Sequence, residues 1–98
     1  MSFLEFNQID FIKEKIFDWS DNKRYDFFLP KFNLLIEYNG VQHYKEIPNF
    51  SLPLEKQQAI DKWKENKAKE FGFDVLVISY LDFDNIENIL AQRLKENA

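Results

Sequence analysis

Cysteine is absent from this 98-residue chain, histidine occurs once, glycine twice and proline three times. Without cysteine there is no disulfide, no thiolate zinc site and no cysteine nucleophile. Scarce glycine and proline make each one an informative turn or cap signal. No apolar run approaches the length of a membrane span, and residues 1–12 lack the basic start and small-residue cleavage site of a signal peptide. The expectation is one soluble, cytoplasmic domain over residues 1–98, with no membrane partner. An excess of basic charge is also missing: 13 Lys+Arg stand against 17 Asp+Glu, a net charge of −4. That excludes a sequence-blind nucleic-acid coat, which carries a basic stripe. It leaves room for an enzyme that meets DNA through a metal, because such a site is itself built from carboxylates.

Aromatic residues are plentiful, with 11 Phe, 4 Tyr and 2 Trp, and the apolar fraction of 45% is too high for a disordered chain. Residues 1–9 read as a helical turn or a docked arm. Lys13 to Trp19 reads as a strand ending at the turn cluster Ser20-Asp21-Asn22. Arg24 to Leu29 is a second strand stopped by Pro30, and Asn33 to Tyr38 a third. Asn39-Gly40 is a strong signal for a two-residue type I′ turn, after which Val41 to Tyr44 resumes strand-like alternation. A loop follows from Ile47 to Pro53. Leu54 to Phe71 reads as a helix with Ala59, Ile60, Trp63 and Lys67 along one side and Gly72 as its cap. Val75-Leu76-Val77-Ile78 has the character of an interior strand covered on both faces. Asp82 or Asp84 would cap a last helix carrying Phe83, Ile86, Ile89, Leu90 and Leu94. The order β-β-β-α-β-α predicts an α/β fold with a mixed central sheet of about four strands flanked by helices.

Glu37 is the anomaly. It interrupts an otherwise apolar strand, and an unpaired buried carboxylate is expensive. If the second and third strands form a hairpin that pairs Leu29 with Leu34, Asp26 falls opposite Glu37. Two facing carboxylates need positive charge between them: a divalent cation with oxygen ligands, or a side chain such as Arg24, Lys15 or Lys31. His43, the sole histidine, would return toward Glu37, either as a general base that takes a proton from water or as a packing partner of Tyr44. Gln42 can position a water or a phosphate, and is equally an ordinary polar residue. On the long helix Asp61 and Lys64 share a face, as do Lys64 and Lys67; they would add a carboxylate and phosphate-binding cations, or simply form a solvated surface. Tyr25, Phe27 and Trp63 read as core.

The block Arg24-Tyr25-Asp26-Phe27-Phe28-Leu29-Pro30, followed by Asn33 to Tyr44 with Glu37, Asn39-Gly40 and Gln42-His43-Tyr44, resembles small phage-type endonucleases. These are related to the very-short-patch repair enzymes and the EDxHD homing endonucleases, a branch of the PD-(D/E)xK superfamily. The resemblance covers about residues 11–94 and is dense only in 24–44. It implies a restriction-endonuclease-like core and a DNA endonuclease using Mg²⁺ or Mn²⁺. Asp26 and Glu37 would be the metal ligands, His43 the base, and Gln42 and Asp61 further site residues; phosphate contacts would have to come from Lys45, Lys62, Lys64, Lys67 and Lys69. Departures are specific. Asn39 stands where the family usually has Asp. The superfamily's Lys two positions after the acid is missing. The N-terminal helix is short or missing, leaving Glu5 and then Glu14 as weak substitutes for its Glu. The family's zinc-binding cysteines are missing too.

Two functions compete. One is a metal-dependent DNA endonuclease of a phage-infected or bacterial cell, weakened by Asn39. The other is a catalytically inactive nuclease-fold module that binds DNA or protein, for example a phage inhibitor of a host protein. No helix carries a run of Arg with Asn or Gln suited to base edges, so specificity would require a homodimer or a fused or partner recognition module.

Overall fold

The computed structural model describes residues 7–48 and 52–96. The expectations for the first segment, including Glu5, fall mostly outside the described residues. Aromatic and β-branched residues form strands in the first half, as their preference dictates: β1 (Ile12–Ile16), β2 (Arg24–Leu29) and β3 (Leu34–Asn39). Ser20 makes the first turn. It is fully buried, and its hydroxyl accepts from the Phe17 N–H at 3.0 Å and donates to the Phe17 carbonyl at 2.9 Å. Asp21 and Asn22 follow in the left-handed region that short polar side chains tolerate. Between β2 and β3, Pro30–Phe32 forms one 3₁₀ turn closed by left-handed Asn33.

The helix α1 (Leu54–Glu70) then crosses to β4 (Asp74–Ser79). Its last carbonyls are satisfied by a Schellman motif: Gly72, at φ +88°, donates to the Lys69 carbonyl and Phe73 to that of Ala68, each at 3.0 Å. A 3₁₀ segment (Tyr80–Asn85), which contains Asp82 and Asp84, leads into α2 (Ile86–Glu96). The sheet order is β1-β2-β3-β4, antiparallel except for the parallel β3–β4 pair. This is the α/β fold with a mixed four-stranded sheet that the pattern predicts, and the hairpin register is the expected one, with Leu29 opposite Leu34.

Each sheet face has its own core. Under α2 lie Leu29, Leu34, Ile36, Ile78, Leu90 and Leu94; under α1 lie Tyr25, Leu35 and Ala68, ringed by Phe17, Trp19, Phe28, Phe73 and Val75. Residues of β3 therefore alternate, even positions toward α2 and odd positions toward α1.

Three local expectations are corrected. Asn39-Gly40 does not make a type I′ turn, which needs positive φ at both residues: Gly40 is extended at φ −71°. Among the described residues no further antiparallel strand follows, and β3 continues its pairing with β4 to Asn39↔Ser79. Val41–His43 is one turn of 3₁₀ helix and not a resumed strand. Finally, β4 is an edge strand whose sole buried residue is Ile78, although its sequence reads as interior.

Candidate functional site

At the C-terminal ends of β3 and β4 the α1 face turns polar and opens a pocket of about 320 Å³. Tyr25, Glu37, Asn39, His43, Asp61 and Lys64 are among the residues that line it. Glu37 and Asn39 are buried and come from β3. His43 comes from the 3₁₀ turn, while Asp61 and Lys64 come from α1. The inward stripe of that helix is Gln57, Asp61, Lys64 and Ala68, spaced by three or four residues as one helical face requires. It is polar except at Ala68.

The β2–β3 ladder runs regularly to Phe27↔Ile36 and then changes character. At the next rung the Asp26 N–H donates to Glu37 Oε1 at 2.8 Å, and the Tyr38 N–H donates to Asp26 Oδ2 at 2.7 Å. Side-chain carboxylates thus replace the carbonyls of a normal ladder. Tyr25 and Phe28, three residues apart, both pack on the α1 side, so strict alternation slips at Asp26. Glu14, at φ +53°, interrupts the neighbouring strand between the pairs Lys13↔Phe27 and Lys15↔Tyr25. The two carboxylates meet as the register predicts but do not share a face. Glu37 lines the α1 pocket, whereas Asp26 opens with Lys13, Glu14, Phe27 and Tyr38 onto the other side.

Lys64 neutralises Glu37, with its ammonium 2.5 Å from Oε2 and both side chains largely buried. Arg24, Lys15 and Lys31 do not: Arg24 reaches Glu14 at 3.7 Å, Lys31 reaches Asp10 at 3.4 Å, and the Lys15 ammonium lies over the Phe17 ring. The Tyr25 hydroxyl donates to the Lys64 carbonyl at 2.8 Å, and the Lys64 ammonium sits 4.9 Å from the Tyr25 ring centre. Burial raises the Glu37 pKa above the ordinary carboxylate range, and the Asp26 charge adds to the rise, while the Lys64 hydrogen bond and charge hold it back. Burial likewise pushes Tyr25 and Tyr38 up to about 12, reinforced by Glu37 and Asp26 respectively.

His43 Nδ1 lies 2.7 Å from Asp61 Oδ2, and the other Asp61 oxygen accepts from Gln57 Nε2 at 2.9 Å. Gln58 Nε2 donates to the His43 carbonyl at 3.3 Å, and Glu46 Oε2 accepts from the Leu54 N–H at 3.1 Å, tying the 3₁₀ turn and its loop to the start of α1. A carboxylate on Nδ1 fixes the ring orientation and favours the tautomer with a bare Nε2. Gln42 is not among the pocket-lining residues; its amide lies against Gly40, where an added Cβ would stand 2.6 Å from Gln42 Oε1. Among the expected phosphate contacts, Lys64 is bound to Glu37 and Lys67 pairs with Glu70 at 3.7 Å. Lys45, and Lys62 in the pocket wall, carry no ion pair among the described residues. Residue pattern alone did not single out Gln57 and Gln58; a search for polar residues at helical spacing from Asp61 would have found Gln57.

The site's oxygen donors suit a hard divalent cation, since carboxylates and the Asn39 amide are available and no sulfur is. Among the described residues no three His, Cys, Asp or Glu side chains cluster closely enough to enclose a metal. Asp26 and Glu37, expected as joint ligands, open onto opposite sides of the sheet, and the Glu37 oxygens are engaged by the Asp26 N–H and Lys64, so as placed they do not enclose one ion together.

No family model matches the chain. It is 33% identical over 92 residues to the uncharacterized protein 307L of Invertebrate iridescent virus 6; the match covers 88% of this chain and 46% of that protein, so the chain spans about half the length of its viral relative. Among solved structures, the catalytic domain of the homing endonuclease I-Bth0305I superposes with a TM-score of 0.65 at 22% identity, covering 96% of this chain and 84% of that domain. The chain therefore has the fold of an endonuclease catalytic domain. Among the described residues no helix is long and apolar enough to cross a membrane.

Proposed function

We propose that the chain is a metal-dependent DNA endonuclease of the PD-(D/E)xK type, hydrolysing phosphodiester bonds. The observation that carries this reading is the His43–Asp61 pair in the same pocket as the Glu37–Lys64 pair. Asp61 holds Nδ1, so Nε2 of His43 takes the proton from the attacking water, and the water oxygen bonds to phosphorus as the ester oxygen departs. Gln57 keeps Asp61 in place. Lys62 offers its ammonium to the substrate phosphate, while Lys64 holds the Glu37 carboxylate. A divalent ion, Mg²⁺ or Mn²⁺, would supply positive charge for the phosphoryl oxygens and the leaving oxygen, with Glu37 the carboxylate on the His43 side of the sheet to hold it and water completing its shell. Here Lys64, reaching over from α1, stands beside the acid in place of a lysine two positions along the strand.

The test is cleavage of supercoiled plasmid and of branched or mismatched duplexes with Mg²⁺, Mn²⁺ or EDTA. Wild type should cut only with metal, and Glu37→Gln and His43→Ala should lose cutting while remaining folded. Asn39→Asp should cut faster if the amide weakens metal binding. Inert but folded protein on every substrate would reject catalysis in favour of a binding module.

A further inference from the structure

The two edges of the sheet are built differently. β1 presents Lys13, Glu14 and Lys15, and Glu14 in the left-handed region breaks the ladder there. Charge and a local kink are the usual means of keeping a sheet edge from pairing with another chain. β4 has no such guard: Asp74–Ser79 reads DVLVIS, with neither Lys nor Pro nor a positive φ. Its composition is that of a strand with neighbours on both sides, yet Val77 is 40% exposed. Exposed apolar side chains gather around its C-terminal end, with Leu81 at 75% and Phe83, Val41 and Tyr44 close to the value of Val77.

We infer that β4 pairs antiparallel with β4 of a second copy of this chain across a two-fold axis perpendicular to the sheet. Such an axis keeps each face continuous, so residues of like parity face each other, and the two registers of fullest overlap put Val77 on Val77 or Leu76 on Leu76. In both, Asp74 meets an uncharged residue, Tyr80 in the first and Ile78 in the second. The strand is thus self-complementary, as an isologous contact demands, with no carboxylate opposed to another. Like charges directly opposite would have counted against it. The two four-stranded sheets would join into one, and both pockets, each lined by its own Val77, would open on the same face on either side of the axis. This inference stands without the nuclease reading, because it rests on the edge alone.

The test uses sedimentation equilibrium and single-cysteine cross-linking of the whole chain, which has no cysteine of its own. Directly opposed residues in an antiparallel pair have Cα atoms roughly 4.5–5.5 Å apart, inside the span a disulfide bridges. Wild type should sediment at twice its 11.9 kDa monomer mass at micromolar concentration. Val77→Cys or Leu76→Cys, according to register, should cross-link under mild oxidation, while Ile12→Cys on the opposite edge should not. Val77→Lys should return the chain to a folded monomer whose thermal midpoint no longer depends on protein concentration. A monomer at all concentrations would overturn the inference. So would cross-linking through Ile12→Cys as fast as through β4, or a dimer that survives Val77→Lys. Plasmid cleavage measured on the same samples reports separately on the nuclease reading.

Discussion

One strand serves two faces of very different character. The even positions of β3, Leu34, Ile36 and Tyr38, face α2 and a core of aliphatic side chains. The odd positions start equally apolar at Leu35 but turn to Glu37 and Asn39, opposite a helix whose inward stripe is Gln57, Asp61 and Lys64. The α2 face holds the sheet together, and the α1 face spends part of its packing on a hydrogen-bonded polar pocket. Stability and chemistry are thus separated by the pleat of a single strand.

The largest expected effects break the comparison from each side. Replacing the proposed base, His43→Ala should lower cleavage by about 10²–10⁴-fold, far more than loss of its Asp61 contact shifts the urea midpoint. Leu90→Ala, from the fully buried α2 core, should cost about 2–5 kcal/mol and leave the activity per folded molecule intact. Denaturant titration beside single-turnover cleavage reads both. Next, Lys64→Met removes the partner of a buried carboxylate and should destabilise by up to about 3 kcal/mol, the lower end of what breaking a buried pair costs. Pairing it with Glu37→Gln should recover much of that loss in a double-mutant cycle.

A smaller effect tests the electrostatics. Burial raises the folded-state pKa of Glu37, so the folded chain holds this proton more tightly than the unfolded chain. The contribution is fully present below the ordinary carboxylate pKa and is lost as pH rises through the raised folded value. Stability in metal-free buffer should therefore fall across that window, and Glu37→Gln should flatten this part of the profile. Smallest of all, Lys62→Ala should reduce the salt dependence of DNA binding by about one counterion with a stability change within about 0.5 kcal/mol.

Much of the frame was legible in the residues. Turn and cap chemistry at Ser20 and Gly72, the element order and the hairpin register all followed from local rules, and the register alone brought Asp26 against Glu37. Their separation onto two faces was not legible, because the slip at Asp26 is coupled to the left-handed Glu14 on a neighbouring strand. The inward face of α1 was legible only in part, through the spacing that put Asp61 and Lys64 on one side. Hydrophobic periodicity pointed to Ala59, which is exposed, whereas the helix turns Gln57, Asp61 and Lys64 to the sheet. A search for apolar stripes passes over a helix that docks by polar pairs. Likewise, apolarity in Val75–Ile78 was readable but its place in the sheet was not, since composition measures a preference for burial and not the number of neighbouring strands.

The parallel pairing of β4 with β3 also sets an order of assembly. Strands β1 to β3 form a meander whose partners lie near one another along the chain, so their loops close at small entropic cost. Leu34, in contrast, must find Asp74 across the whole of α1, and contacts of that separation form slowly. Both pocket pairs, Glu37–Lys64 and His43–Asp61, bridge the meander to α1. A chain that has folded its meander and not yet docked its helix has a sheet but neither pair. The pocket comes into being only with that long-range step, so its two pairs report that α1 has docked.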